Sequence, residues 1–184
     1  MNIFALDTDP ILAAKFHNDR HVVKMVLESA QLLSTAHRLL DGQQTIVERQ
    51  TKSGKTRKVK VWKLDDSREY ALYQATHINH PSAVWARQNR ANYRWLFRLF
   101  RALLQEYTDR YGKVHKCDAM LSTLVSPPAA IPAGDVITPF ALAMPDECKV
   151  IGDPVKSYRQ YYMVSKRSMA VWNRGKSPPP EWWV

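Results

Sequence analysis

Apolar residues recur at helical spacing in three stretches of the chain. Between about residues 10 and 40 they repeat every three or four positions, as Phe16, Val23, Val26, Ala30 and Leu33. This spacing predicts one long helix, with Asp9 and Pro10 at its start and Gly42 as a left-handed cap. The same pattern predicts a second long helix over about residues 82–111, ended by Gly112, and a third over about residues 154–173.

Between the first two helices the period of the pattern changes from 3.6 to two. Residues 44–64 alternate apolar and polar positions on both sides of Ser53-Gly54, which predicts a β-hairpin. Its basic residues are Lys52, Lys55, Arg57, Lys58, Lys60 and Lys63. Two interpretations are open, a flap that lies across a phosphate backbone and a solvated ribbon.

The remaining segments are predicted from proline, glycine and capping residues. A short helical stretch is expected near residues 67–75, and Pro81 should hold His80 extended before Ser82 caps the second helix. Residues 113–152 are rich in proline and predict a long ordered loop with one helical turn near residues 117–123. Residues 2–6 should form an arm packed on the core, and residues 178–183 a stiff tail that docks two tryptophans.

These elements together predict a mainly α fold, a compact three-helix single domain of residues 1–184 with an inserted hairpin and a proline-rich loop. The chain has 184 residues, and 45% hydrophobic content is enough for a core. It contains no run of eighteen apolar residues and no secretion signal, and Cys117 and Cys148 form no close pair. We therefore expect a cytoplasmic protein with no membrane contact.

Charge points to a polyanionic partner, since the formal net charge is +10. On the second helix five arginines are spaced three or four residues apart: Arg87, Arg90, Arg94, Arg98 and Arg101. No acid separates them, so phosphate contact is one interpretation and a solvated or internally paired face is the other. On the third helix, Tyr158, Tyr162 and Lys166 suit stacked bases flanked by phosphates, or a helix packed on the core.

The candidate chemistry lies in a polar stripe on the first helix, formed by His17, His21, Lys24 and Glu28. Histidines titrate near neutral pH, and nearby arginines should keep them neutral, so a general base is predicted here. A zinc site is the alternative for His17 and His21, but HExxH order and cysteine support are missing, so we predict no metal. Signatures of serine hydrolases, kinases and cysteine enzymes are also missing.

Three segments resemble a family of small phage proteins related to pyrimidine-dimer DNA glycosylase of the endonuclease V type. They are MNIFALDTDP with the following residues to about 40, THINHPSAVWARQNRANYRWL, and TPFALAMPDE with VKSYRQYYM. The resemblance covers roughly residues 1–40, 70–115 and 137–183 and leaves out the hairpin. It implies a three-helix domain that grips double-stranded DNA and handles a pyrimidine, with base flipping.

The sequence departs from that family at the catalytic positions. The glycosylase uses the α-amine of a threonine exposed by removal of methionine, whereas Asn2 here should retain Met1. His21 stands where the family's glutamate would align, and Glu28 lies two turns further on. A related group of phage enzymes, similar to amino acid:DNA transferases, displaces pyrophosphate from activated 5-hydroxymethyluracil with an amine.

We therefore predict a phage base-modifying transferase, with glycosylase-like repair and non-catalytic DNA binding as alternatives. His17 or His21 would deprotonate the amine, Glu28 or Asp146 would hold its ammonium, and Arg20, Lys24 and Arg87 would bind the pyrophosphate. Further substrate contacts are expected from Asn18, Asp19, His77, Asn79, His80, Gln88, Tyr158 and Tyr162. Contacts to DNA are expected from Lys58, Lys60, Arg90, Arg94, Arg98 and Lys166.

The predicted partners are double-stranded DNA and a small amine or amino acid, acted on by a monomer. The reaction requires no cofactor, although a divalent metal ion can accompany a pyrophosphate.

Overall fold

The chain is mainly helical with one antiparallel hairpin, as the sequence predicts. The computed structural model describes residues 1–51 and 53–184, so Lys52 of the predicted basic hairpin lies outside the described residues. Its elements are α1 (Pro10–Phe16), α2 (Asp19–Asp41), β1 (Gln43–Gln50), β2 (Thr56–Lys63), α3 (Arg68–Ala71), α4 (Pro81–Ala86), α5 (Arg90–Tyr111), α6 (Leu121–Leu124) and α7 (Pro154–Ser165). None of the helices in the described ranges is long and apolar enough to cross a membrane.

The predicted first helix is two helices, because the chain breaks at His17 and Asn18. Asp9 caps α1 by accepting a hydrogen bond from the Ile11 N–H at 2.7 Å. Asn18 has an extended backbone, and its side-chain oxygen accepts from the His21 N–H at 2.9 Å, which starts α2. Periodicity alone missed this break because the apolar positions stay in phase across it.

The predicted second helix is also divided. His80 is extended as expected, but His80 rather than Ser82 caps α4, since its Nδ1 accepts from the Ser82 N–H at 3.2 Å. Asn89 then caps α5 by accepting from the Asn92 N–H at 2.8 Å. Gly112 ends α5 as predicted and has a left-handed backbone, whereas α7 ends at Ser165 rather than near residue 173.

Helix α2 is the centre of the fold. It packs against α4 and α5, α5 also packs against α1, and the arm of residues 2–6 is buried against the same core. Completely buried side chains line α2 from Val22 to Arg38. The polar stripe predicted on its open side therefore faces protein along most of its length.

Arg38 joins α2 to the hairpin and to α3. Its buried guanidinium donates to the carbonyl oxygens of Trp62, Tyr73, Glu69 and Leu72 at 2.7 to 3.0 Å, and to Glu69 Oε2 at 2.6 Å. Five acceptors on two separate segments thus converge on one buried cation. Such a buried charge is tolerated because every partner is in place.

The hairpin joins the body at its base, where β1 begins and β2 ends. Val61 and Leu64 are buried there, and the register pairs Thr45 with Val61, Val47 with Val59 and Arg49 with Arg57. The basic residues lie on both faces of the hairpin. Arg49, Arg57 and Lys63 point to one face, and Lys58 and Lys60 to the other.

The proline-rich loop and the tail both pack on this body. A 3₁₀ turn at Lys116–Met120 leads into α6, close to the predicted helical turn, and Phe140 packs against Trp85 and Trp95. In the tail, Trp182 lies edge-on to Phe16 and near Trp183. The predicted docking of two tryptophans is confirmed.

Gly42 is required for a reason other than the predicted left-handed cap. Its φ is −91°, but a Cβ atom there would lie 2.5 Å from the Arg38 carbonyl oxygen and 3.0 Å from that of Lys63. Both neighbours are backbone atoms next to the Arg38 network and have little freedom to move. The chain turns from α2 into β1 through a space that only hydrogen can occupy.

We expect Gly42→Ala to lower the free energy of unfolding by about 2 kcal/mol or more, because the new methyl group clashes with backbone. Gly54→Asn is the matched control in the same hairpin. Gly54 has a φ of +78° with open space around it, and asparagine tolerates this conformation at a cost of about 1 kcal/mol or less. Urea unfolding would measure the free energy of unfolding of both variants. Equal losses would contradict the steric explanation for Gly42.

Candidate functional site

The buried carboxylate of Glu28 collects three donors on one side of α2. Its Oε2 accepts a hydrogen bond from the Asn2 N–H at 2.8 Å and lies 3.8 Å from the α-nitrogen of Met1. Its Oε1 lies 3.5 Å from Lys24 Nζ, whose side chain is 65% exposed. We call Met1, Asn2, Lys24 and Glu28 the Glu28 cluster.

Asn2 holds the start of the arm in this position. Its side-chain oxygen accepts from the Ile3 N–H at 2.8 Å, and its side-chain nitrogen donates to the Ala143 carbonyl at 2.8 Å. The arm then reaches Phe4, a buried residue with a positive φ of 41°. Sequence reasoning used Asn2 only to predict that Met1 is retained and missed its structural part in the cluster.

His80 and Arg87 flank α4, His80 directly before its first residue and Arg87 directly after its last. Burial lowers the pKa of His80, and the nearby positive charge of the chain's N-terminus lowers it further, while Glu28 opposes the shift. His80 is therefore a neutral imidazole within the electrostatic reach of the Glu28 cluster. Its Nδ1 caps α4, which leaves Nε2 for other contacts.

Arg87 is a cation without a counter-charge. Its Nη1 is buried and has no hydrogen-bond acceptor among the described residues. Burial lowers its pKa, and no carboxylate of the described chain lies within ion-pair distance of it. A guanidinium in this situation is stabilised by any anion that reaches it.

His17 and His21, the predicted general bases, are interior residues. His17 is completely buried, and its Nδ1 lies 2.6 Å from the Ala13 carbonyl oxygen. His21 Nδ1 lies 2.6 Å from the Tyr162 hydroxyl, and the ring stacks near Phe4. Their positions correct the prediction of an accessible stripe, because substrate cannot touch a side chain that the fold encloses.

Tyr158 and Tyr162 are also completely buried, which removes them as surfaces for stacked bases in this structure. Tyr158 donates to the Ala141 carbonyl at 2.6 Å, and Tyr162 completes the ring cluster around Phe4. Their second predicted role, packing on the core, is confirmed. Lys166 lies 4.7 Å from the centre of the Tyr161 ring, at the partly exposed end of α7.

Asn18 and Asp19 have structural partners. Asn18 is the cap of α2, and Asp19 Oδ1 accepts from Arg110 Nη1 at 3.1 Å. Arg110 also binds Glu106 and the carbonyl oxygens of Lys15 and His17, so it closes the break between α1 and α2. Both residues lie inside this network rather than at an open site.

The other predicted substrate residues are dispersed. His77 is exposed with a φ of 49°, and Asn79 is exposed in the same turn before α4. Gln88 accepts from the Thr138 hydroxyl at 3.1 Å, and Asp146 pairs with Lys149 at 2.6 Å beside α7. The contacts of Asp146 do not include the Glu28 cluster. Glu28 is therefore better placed than Asp146 for the predicted role of holding an ammonium ion.

The predicted row of arginines is present on α5, but it is shorter than predicted because Arg87 lies at the end of α4. Arg94, Arg98 and Arg101 are exposed, whereas Arg90 is partly covered. In the described ranges none of them has a carboxylate within 4 Å. Arg98 and Arg101 line a groove of about 900 Å³ between α1 and α5, and Arg94 and Arg98 line a smaller one of about 180 Å³.

Lys58 and Lys60 are exposed on β2, with Lys58 opposite Glu48, and Arg20 is exposed on α2.

The chain matches no family model, no curated protein and no solved structure. The resemblance to the phage glycosylases therefore stays a prediction from sequence. Over residues 1–51 and 53–184, no three His, Cys, Asp or Glu side chains come together as a metal-binding group.

Three buried histidines make stability depend on pH. Burial lowers the pKa from its ordinary 6.5 to about 4 for His17, about 3 for His21 and about 4 for His37. The unfolded chain therefore binds protons below pH 6.5 that the folded chain resists. The free energy of unfolding is fully present above about pH 6.5 and falls as pH decreases toward 4.

We expect a loss of about 1 kcal/mol per pH unit for each of the three histidines in this window. Urea unfolding at pH 7.5, 6.5, 5.5 and 4.5 would measure the slope. His77→Asn is the control, since His77 is exposed and asparagine accepts its positive φ; it should leave the slope unchanged. A flat profile between pH 6.5 and 4.5 would rule out burial of neutral histidines.

Proposed function

We propose that the protein is a phage DNA-modifying enzyme that transfers a small amine or amino acid to an activated pyrimidine in double-stranded DNA. The observation that carries the proposal is the buried Glu28 carboxylate, which lies within electrostatic range of the neutral imidazole of His80. The carboxylate already faces two amino groups, so it is built to accept an ammonium ion. The imidazole, within electrostatic range of that carboxylate, supplies a base.

The reaction divides between groups of opposite charge. The amine nitrogen attacks the methylene carbon on C5 of the base, and the carbon–oxygen bond to pyrophosphate breaks. Pyrophosphate leaves with the electron pair, and the proton lost by the amine goes to His80. In this proposal His80 takes the general-base role that the sequence assigned to His17 or His21.

Two cations, Arg87 at the end of α4 and Lys24 of the Glu28 cluster, suit the anionic substrate. Arg87 and Lys24 would stabilise the leaving pyrophosphate, since one has no acceptor for its Nη1 and the other is held by a single carboxylate at 3.5 Å. Arg94 and Arg98 would contact the DNA backbone along the grooves of α5. The substrate would be phage DNA in the host cytoplasm.

We expect His80→Asn to reduce product formation about 100-fold, because it removes the base while asparagine still caps α4. The assay supplies double-stranded DNA with pyrophosphorylated 5-hydroxymethyluracil and glycine, followed by mass spectrometry of nucleosides. His115→Asn is the matched control, since His115 caps its 3₁₀ turn through Nδ1 in the same way but lies next to Tyr107. Equal rates for the two variants would remove His80 from the reaction.

The α-nitrogen of Met1 favours a second candidate, glycosylase and lyase action on damaged DNA. It lies 3.8 Å from Glu28 Oε2, and the Met1 side chain is buried. Attack of this amine on the sugar carbon C1′ would expel the base and form an imine, as the glycosylase resemblance implies. Glu28 would then stabilise the positive charge that develops on nitrogen.

Incubation with irradiated double-stranded DNA and sodium borohydride tests this candidate. If it is correct, reduction of the imine gives a covalent complex that peptide mapping places on Met1, and Glu28→Gln lowers its yield at least tenfold. Asp146→Asn is the control with the same charge change away from the cluster. Absence of a trapped complex, together with a new glycine adduct in the first assay, would exclude the glycosylase and support the transferase.

A further inference from the structure

The hairpin carries a large share of the protein's positive charge. Residues 43–63 contain seven basic residues and one acid, Glu48, which is +6 of the chain's net +10. The segment extends from the body, both strands contact α2, and Val61 is buried near the end of β2. So much charge on a projecting element calls for an explanation beyond solubility.

The strand register divides this charge unequally between the two faces. Glu48 is directly opposite Lys58, so the face with Lys58 and Lys60 contains its own counter-charge. Ile46, opposite Lys60, is an exposed apolar residue on that face. The face with Arg49, Arg57 and Lys63 has no acid in either strand.

Arg49 and Arg57 are direct cross-strand partners on this second face. Like charges in this position repel each other and destabilise a hairpin. Neither guanidinium has a carboxylate within ion-pair distance in the part of the chain that the structure describes. An anion placed between the two arginines would remove the repulsion.

The arginine face is also the face that turns toward the body. Side chains alternate along each strand, so Arg57, Val59 and Val61 share one side, and Val61 is buried against the body while Val59 is half-buried. Two rungs further out the same side is exposed and cationic. A partner bound there would lie under the hairpin, between its tip and the body.

We propose that the Arg49–Arg57 face of the hairpin clamps the phosphate backbone of double-stranded DNA. The inference rests on the proposed function for the identity of the polyanion. It adds a binding surface made of residues other than Lys58 and Lys60. Arginine suits this surface because its planar guanidinium binds phosphate oxygens in pairs.

The test compares two double variants that remove equal charge from opposite faces, Arg49→Gln with Arg57→Gln, and Lys58→Gln with Lys60→Gln. Fluorescence anisotropy with a labelled 20-base-pair duplex measures Kd between 50 and 200 mM salt. The arginine variant should bind about tenfold more weakly or worse near 100 mM, with a salt slope reduced by about two. The lysine variant should lose clearly less.

A second variant separates binding from folding. Arg57→Glu replaces the repulsive pair by an attractive one, so it should leave the melting temperature of the free protein equal or raise it, while weakening duplex binding. A residue needed only for structure would not combine an equal or higher melting temperature with weaker duplex binding. A lower melting temperature with unchanged binding would overturn the proposal.

The remaining outcomes are also decisive. Equal losses from both double variants would mean that charge density acts without a preferred face, and no loss from either would mean a solvated ribbon; each overturns the proposal. Tight duplex binding through the arginine face without formation of a modified base would contradict the proposed reaction. It would still support the proposed DNA contact of the hairpin. Failure of the unaltered protein to bind a duplex would contradict both.

Discussion

Helix α2 is buried along most of its length, and most of the buried polar side chains along it have partners in the interior. This constraint explains why distant segments meet on it. His21 reaches Tyr162 of α7, His37 reaches Tyr93 of α5, and Arg38 gathers the hairpin and α3. A buried polar group without a partner costs free energy, so these contacts fix where α7, α5 and the hairpin attach.

The same constraint sets the position of the candidate site. Glu28 stands at the edge of the buried surface of α2, where the arm supplies the Asn2 N–H and solvent still reaches Lys24. At the N-terminal end of α2 His21 is enclosed, as is His17 at the break before the helix, and burial holds both neutral. In the proposed reaction, acid–base chemistry is therefore assigned to Glu28 and to His80, whose imidazole is only partly covered.

Sequence patterns predicted the elements of this fold better than their interruptions. Helical spacing identified α2, α5 and α7, and alternation identified the hairpin, because both periods reflect local geometry. Asn18 and Asn89 start new helices by capping, a signal that an apolar pattern in phase on both sides conceals. Glu28 was identified, but its partners Met1 and Asn2 were not, since a contact across 26 residues depends on tertiary packing.

The polar stripe was misplaced for a related reason. A one-sided apolar pattern predicts that the other side faces solvent, but α2 is covered there by the arm and by α7, so its polar side chains became interior partners. An ammonium that approaches Glu28 has to replace one of the present neighbours. The Met1 side chain is buried and holds the arm in place, whereas the Lys24 side chain is largely exposed and loses less by moving into water. The Glu28 cluster therefore opens most readily on the Lys24 side, and a substrate amine would enter there.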